Sequence, residues 1–558
     1  MKTSLLFYVL CLLGGQLAAQ SSDFPEYHEA VDDPYLPPPA VKRTSPAYGR
    51  QKSSVVTVQV NTDAAGHNIL DDAANEPSIA IDPQNPNRMV IGWRQFDNVA
   101  SNFRQAGVAY TLDGGATWTN LPPLDAGVFR SDPVLSADNY GRFFYNSLSL
   151  NDDNDYLCDV FTTENPAEWS APVFAQGGDK QWMVVDNSGS EGDGHLYASW
   201  TNVYSICNSN VTRSTDHGHS FEHCGELLDN QWGSLAVGPD GTLYSCGIGK
   251  FFYSLNAKDA TQPISWSNAH YLTRHARTLV FNGPNPAGLL GQDWIATDYS
   301  SPERADFVYV LASLLPEVAS PDYGDPCDVI FVRSEDQGQS WSEPITVNDD
   351  NSHDHWQWMA VMSVAPNGRI DAAWLDTRDD PNNGYWSSLY YAFSEDAGVS
   401  WSANQRISEG FDPTVGRPNQ AKMGDYFHLI SDNDGAHLAW AATFNGEQDV
   451  YYSFIQPEGA VNVTDKQAFA QGLNLEVFPN PVDDQFTVNF TNTETRHLNF
   501  SLLSMDGREV YQVAQQRFPE GELNINADLN TEGVSAGVYL LTVRDLLGNQ
   551  AAVRLIIR

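Results

Sequence analysis

Basic residues are scarce in this 558-residue chain: 30 Lys and Arg stand against 71 Asp and Glu, a formal net charge of −41. A surface so short of cations repels polyanions, which argues against nucleic acid and anionic membranes as partners. Cysteine is also rare, with six in all, and no C-x-x-C pair or zinc-spaced His/Cys array appears. The stretch "HGHSFEHC" (His217, His219, His223, Cys224) has metal-ligand residue types, but it lies inside a repeated turn and reads as a surface loop. Helical periodicity is nearly missing, and after the first twenty residues no apolar run reaches membrane-spanning length, so no transmembrane segment is expected.

The ends have their own signatures. Residues 1–20 combine Lys2, the apolar run "LLFYVLCLLGG" and the small residues of "QLAAQ", which is a signal peptide too short to span a bilayer. Its removal takes Cys11 and leaves an odd set, Cys158, Cys207, Cys224, Cys246 and Cys327. Export permits disulfides, and Cys207 can pair with Cys224 or Cys246. Residues 21–52, with "DDPYLPPPA", read as a proline-rich extended linker.

What the chain does contain is repetition. "TLDGGATW" from Thr111 returns as "STDHGHSF" from Ser214, "SEDQGQSW" from Ser334 and "SEDAGVSW" from Ser394. Decayed copies, "TTENPAEWS" and "NAKDATQPISWS", keep Trp169 and Trp266. Ahead of each copy lie two apolar, β-rich runs split by an Asn/Asp/Gly/Pro turn, for example "QWMAVMSVAPNGRIDAAWLD" from Gln357. Four strands per unit of roughly 50 to 65 residues is the spacing of propeller blades. The fold class is therefore all-β: a seven-bladed propeller over 53–458, with six blades as the alternative. The last unit has three strands, and "SSVVTVQV" (Ser53 to Val60) is expected to supply its fourth and close the ring.

These boxes resemble the Asp-boxes of sialidase-like propellers. The resemblance implies that Asp113, Asp216, Asp336 and Asp396 hold hairpin turns at the rim, away from any substrate. Past the linker 459–473, residues 474–558 resemble the C-terminal sorting domain of the type IX secretion system. Pro479-Asn480-Pro481, Asp506-Gly507-Arg508 and Gly537 with Tyr539 carry that likeness. It implies a small Ig-like β-sandwich, the type IX machinery as a partner, and secretion or attachment at the outer surface of a Gram-negative bacterium.

Strand starts and ends that share one propeller mouth put Arg, Trp and carboxylates around one cavity, the residue types that grip and cleave sugars. Glu76, Asp97 and Asp376 are the candidate catalytic carboxylates. Arg94, Arg378, His355, Trp358, Arg417, Asp425 and Tyr426 are the candidate substrate-binding residues, concentrated in units one, six and seven. Against sialidases proper stands Glu76-Pro77-Ser78, where the family's Arg-Ile-Pro arginine has become a glutamate; Arg94 and Asp97 fall near a family Arg and its acid/base Asp. The expectation is a secreted carbohydrate-active propeller that binds and cleaves extracellular glycans as a glycoside hydrolase. The alternatives are a non-catalytic glycan-binding or adhesion propeller and a polysaccharide lyase using His355 and Tyr426 with Arg378 and Arg417. No cofactor is expected; structural calcium in "NDDND" (Asn151 to Asp155) or "NDDN" (Asn348 to Asn351) is left open.

Overall fold

The computed structural model describes residues 33–38, 42–52, 54–457, 473 and 475–557, except 152, 154, 202–204, 208, 226–231, 273–282, 316–325, 351, 353, 383, 483, 493–494, 505–508, 530–533, 535–536 and 546–549. The expected signal peptide, nearly all of the expected linker 459–473 and the Asp506-Gly507-Arg508 motif lie outside these residues.

Seven antiparallel sheets succeed one another along the chain. Their first strands are Ala73–Ile81, Ser131–Ala137, Trp182–Val185, Leu235–Val237, Trp294–Thr297, Gln357–Val364 and His428–Ser431. Each packs beside the first strand of the next sheet, and His428–Ser431 packs back against Ala73–Ile81. That cyclic contact is a propeller with seven blades. The first strands are apolar on both faces because neighbouring blades cover both, so Ile79, Val134, Trp358 and Leu429 are all buried.

Ring closure follows the expected route: Val55–Gln59 pairs antiparallel with Tyr451–Ile455, the third strand of blade seven. Thr57 and Ser453 hydroxyls meet across this seam at 2.8 Å. The segment ahead of it departs from the linker reading. Gly49–Lys52 adds a fifth strand against Val55–Gln59, and Thr44–Pro46 pairs with His67–Ile69. "GRQK" has no apolar alternation; its main-chain groups are what pair, and composition does not report them.

The Asp-boxes explain their own repetition. In each, the carboxylate accepts an N–H and a hydroxyl four residues on: Asp336 takes Ser340 N at 2.8 Å and Ser340 Oγ at 2.5 Å, plus Ser334 Oγ at 2.8 Å. Asp113, Asp216 and Asp396 repeat this pattern with Thr117, Ser220 and Ser400. Burial works to raise Asp216, Asp336 and Asp396, yet these donors win and hold all three below the usual carboxylate range. Gly338 has φ +85°, and a Cβ there would sit 2.1 Å from the ring of Phe251 in the preceding blade. Trp341 packs on the same ring at 5.0 Å. Each box thus wedges one blade against its predecessor.

The one disulfide among the described residues joins Cys207 to Cys224, so Cys224 of the His-rich stretch is not a metal ligand; Cys158, Cys246 and Cys327 are buried thiols. The C-terminal region is a two-sheet sandwich. A three-stranded sheet centred on Gln485–Asn492 faces a four-stranded sheet centred on Arg496–Ser504 and Gly537–Asp545. Phe486, Val488, Phe490, Phe500, Leu541 and Val543 fill the space between them. Among the described residues no helix is long and apolar enough to cross a membrane.

Candidate functional site

The propeller axis is lined by a feature the sequence does not announce. Glu76, Asp132, Lys180, Trp232 and Met359 all have φ between 46° and 56°, each at the start of its blade's first strand; Gly291 and Gly424 take the equivalent places in blades five and seven. Such conformations cost of order 1 kcal/mol apiece and persist only where the surroundings enforce them. Here the kink brings neighbouring backbones into contact: Met359 N–H donates to the Leu290 carbonyl at 2.5 Å, and Asp293 N–H to Trp232 at 3.2 Å.

The kinks also turn charge inward. Arg94 Nε lies 3.1 Å from Glu76 Oε2 and donates to Asn75 Oδ1 at 2.9 Å. Lys422 Nζ reaches Glu76 at 3.7 Å and Asp425 at 2.9 Å, and Lys180 Nζ reaches Asp425 at 2.5 Å and Asp132 at 3.5 Å. Burial lifts Glu76 to about 8 against the pull of Arg94, whereas Lys180 and Lys422 overcome burial and hold Asp425 far below the usual range. Two loops seal the cluster. Asn285 donates to the Gly424 carbonyl at 2.8 Å, Leu289 N–H donates to Asp425 Oδ1 at 2.8 Å, and Arg417 Nη2 donates to the Pro284 carbonyl at 2.8 Å.

Glu76, Arg94 and Asp425 therefore come together in the buried interior rather than at an open funnel. Tyr426 is buried with its hydroxyl donating to the Pro133 carbonyl at 2.8 Å, so it does not face His355 across a mouth. Trp358 is buried too, its indole N–H on Ser387 Oγ at 3.2 Å.

Blade six holds a separate group. Asp376 is buried and accepts Trp374 Nε1 at 2.9 Å, Arg378 Nε at 2.9 Å and Arg378 N at 2.8 Å. Burial raises its pKa in spite of Arg378. Arg378 continues to Asp349 at 2.7 Å and Asp350 at 3.4 Å, lying 4.4 Å over the Tyr390 ring, and His355 stands 3.7 Å from Asp350. Asp97 is apart from both groups, held by Gln105 Nε2 at 2.6 Å and Lys42 at 3.5 Å. The three candidate carboxylates thus occupy three different settings.

An open cavity of about 560 Å³ lies beyond Asp376, lined by Asp379, Asp380, Tyr385, Trp386, Asp412 and Thr414 among others. Its loop is shaped by Asp380, whose buried carboxylate accepts the N–H groups of Asn382 at 2.9 Å, Gly384 at 3.1 Å and Trp386 at 3.0 Å. Paired backbone bonds between Ser387 and Phe411 clamp this loop to the segment carrying Asp412. The Trp386 indole crosses Gly410 so closely that a Cβ there would fall 1.7 Å from Nε1. Tyr385 and Trp386 are nonetheless 41 % and 46 % exposed. Asp379 accepts the Tyr390 hydroxyl at 2.9 Å and meets Arg406 at 3.2 Å; Asp412 caps Thr414. Sequence reasoning missed Tyr385, Trp386 and Asp412. The available signal was "NNGYWSS", two adjacent aromatics in a turn-rich stretch just ahead of a strand.

Residues 476–558 match the secretion system C-terminal sorting domain. The chain is accordingly an exported protein, released or held at the outer cell surface. No curated protein sequence matches the chain. Among solved structures, the BP39L lectin from Burkholderia pseudomallei is 11 % identical with TM-score 0.41, covering 68 % of this chain and 98 % of its own. A Dyadobacter fermentans protein of unknown function is 14 % identical with TM-score 0.38, covering 72 % and 97 %. A Trypanosoma rangeli sialidase is 9 % identical with TM-score 0.35, covering 92 % and 89 %. At such identities and scores, nothing about activity is drawn from them.

Proposed function

We propose that this chain is an exported glycan-binding propeller whose ligand site is the acidic, aromatic cavity of blade six. The observation that carries the reading is the exposed pair Tyr385 and Trp386 beside Asp379 and Asp412 in a cavity of about 560 Å³. Aromatic faces left in water beside the Ser387–Phe411 backbone clamp present apolar surface that a pyranose ring covers, and the flanking carboxylates accept its hydroxyls. Binding is favoured over hydrolysis because a glycosidase needs two carboxyl groups flanking one bond. In this cavity Asp380 is spent on the N–H groups of its own loop and Asp379 on Tyr390 and Arg406, which leaves Asp412 without a second uncommitted carboxyl opposite it, while Glu76, Asp97 and Asp376 lie in other settings.

Calorimetric titration of full-length protein with neutral, sialylated and uronic-acid glycans tests the site. Trp386→Ala is expected to lower affinity at least about tenfold with the melting temperature unchanged, and Asp412→Asn about threefold to tenfold. Undiminished affinity in Trp386→Ala would place the ligand elsewhere.

A further inference from the structure

We propose that the propeller carries a socket for its own sorting domain, in which Arg517 is the inserted key and protonation of His437 ejects it. The socket is the Asp432–Gly435 turn of blade seven. Asp432 Oδ1 is consumed by that turn, accepting Asp434 N at 2.8 Å and Gly435 N at 3.0 Å. Arg369 of blade six pins the turn from behind, donating to the Asp432 and Asn433 carbonyls at 2.7 and 3.2 Å.

Asp432 Oδ2 is left facing the sandwich. It receives Arg517 Nη2 at 2.5 Å, and Asp434 lies 3.2 Å from the same nitrogen. The arginine side chain is only 4 % exposed, and its stem presses on Gly114 of the first Asp-box, where a Cβ would lie 2.9 Å from Arg517 Cβ. Beside it the ring of His497 lies against Phe454 of blade seven at 5.0 Å. A buried guanidinium with two carboxylate partners is a built contact, since leaving either side unpaired in the interior is costly.

His437 makes the contact conditional. Its Nε2 lies 3.0 Å from Asp432 Oδ2, which can only accept, so in the neutral ring Nε2 carries the proton and donates to Asp432. Its Nδ1 is the acceptor, 2.7 Å from the Tyr452 hydroxyl. Arg517 Nη1 stands 3.4 Å from Nε2. A second proton, taken by Nδ1, would put two cations side by side in the buried seam and oppose the docked arginine.

The charged groups facing His437 are Asp432 and Asp434 from its own turn, Arg369 with its partner Asp371 from blade six, and Arg517 from the sandwich; Asp113 lies near Tyr452 and His497 near Arg517. Burial holds His437 below its ordinary value, Asp432 pulls the other way, and Arg517 and Arg369 add to the depression. Burial also depresses His497. Asp432 is held far below the usual range, so it stays charged when the histidines change state. Both histidines bind a proton more readily once undocked. Docking is therefore complete above their free pKa of about 6.5 and weakens by up to about tenfold per histidine for each pH unit below it.

Small-angle scattering of the full chain at pH ~7.5 and ~5, with circular dichroism recorded in parallel, tests the latch. The wild type is expected to be compact at the higher pH and extended at the lower, with its β signal intact. Arg517→Ala is expected to be extended at both, and the double variant His437→Gln with His497→Gln, which keeps polar groups but cannot take the charge, compact at both. A wild type extended at pH ~7.5, or equally compact at both, overturns the proposal whether or not the variants fold.

Discussion

At the residue scale, Glu76 shows how burial changes what a carboxylate can do. Its pKa rises from 4.5 to about 8, with burial as the largest cause. Between these values the native state keeps a proton that the unfolded chain releases. The stability tied to that proton is complete below about pH 4.5 and is lost as pH rises through about 8. Glutamine mimics the protonated form. Glu76→Gln is thus expected to melt like the wild type near pH ~4 and increasingly above it as pH rises to ~9, in thermal denaturation across that range. A variant that melts far lower at both would mean that the ionised carboxylate holds the axis together through Arg94 and Lys422.

At the scale of the element, the Asp-box divides its work between a carboxylate and a glycine. Asp336→Asn keeps one acceptor and is expected to cost about 1 kcal/mol. Gly338→Ala must strain a φ of +85° and push a methyl into Phe251. It is expected to cost about 2–4 kcal/mol, read as a larger drop in denaturation midpoint. Equal costs would contradict the wedge between blades. These boxes were legible in the sequence because the bonds that the Asp carboxylate and the leading Ser or Thr hydroxyl make within the turn span four residues or fewer, so spacing alone encodes them. The closing strand Val55–Gln59 was legible as a β-rich run with no blade of its own. The seal over the axis was not, because Asn285 and Leu289 meet Gly424 and Asp425 across well over a hundred residues. For the same reason Arg94 and Tyr426 read as mouth residues although neighbouring blades enclose them.

At the scale of the whole molecule, the ring is closed by a strand from the opposite end of the propeller's sequence. Removing residues up to 60 would leave Tyr451–Ile455 as an unpaired edge and uncover Thr57's partner Ser453. Such a truncation is expected to self-associate and to lose cooperative melting, checked by size-exclusion chromatography and calorimetry. A monomeric truncation with an unchanged melt would show that three strands in blade seven suffice to hold the ring.

The account's central claim is that this exported ring binds glycans without cutting them. The most direct test incubates the full chain with immobilised and free neutral, sialylated and uronic-acid glycans, scoring retention and product mass in one experiment. Retained glycans of unchanged mass, released by Trp386→Ala, are the expected result. Products heavier by one water, or lighter by one, would contradict it and make the chain a hydrolase or a lyase.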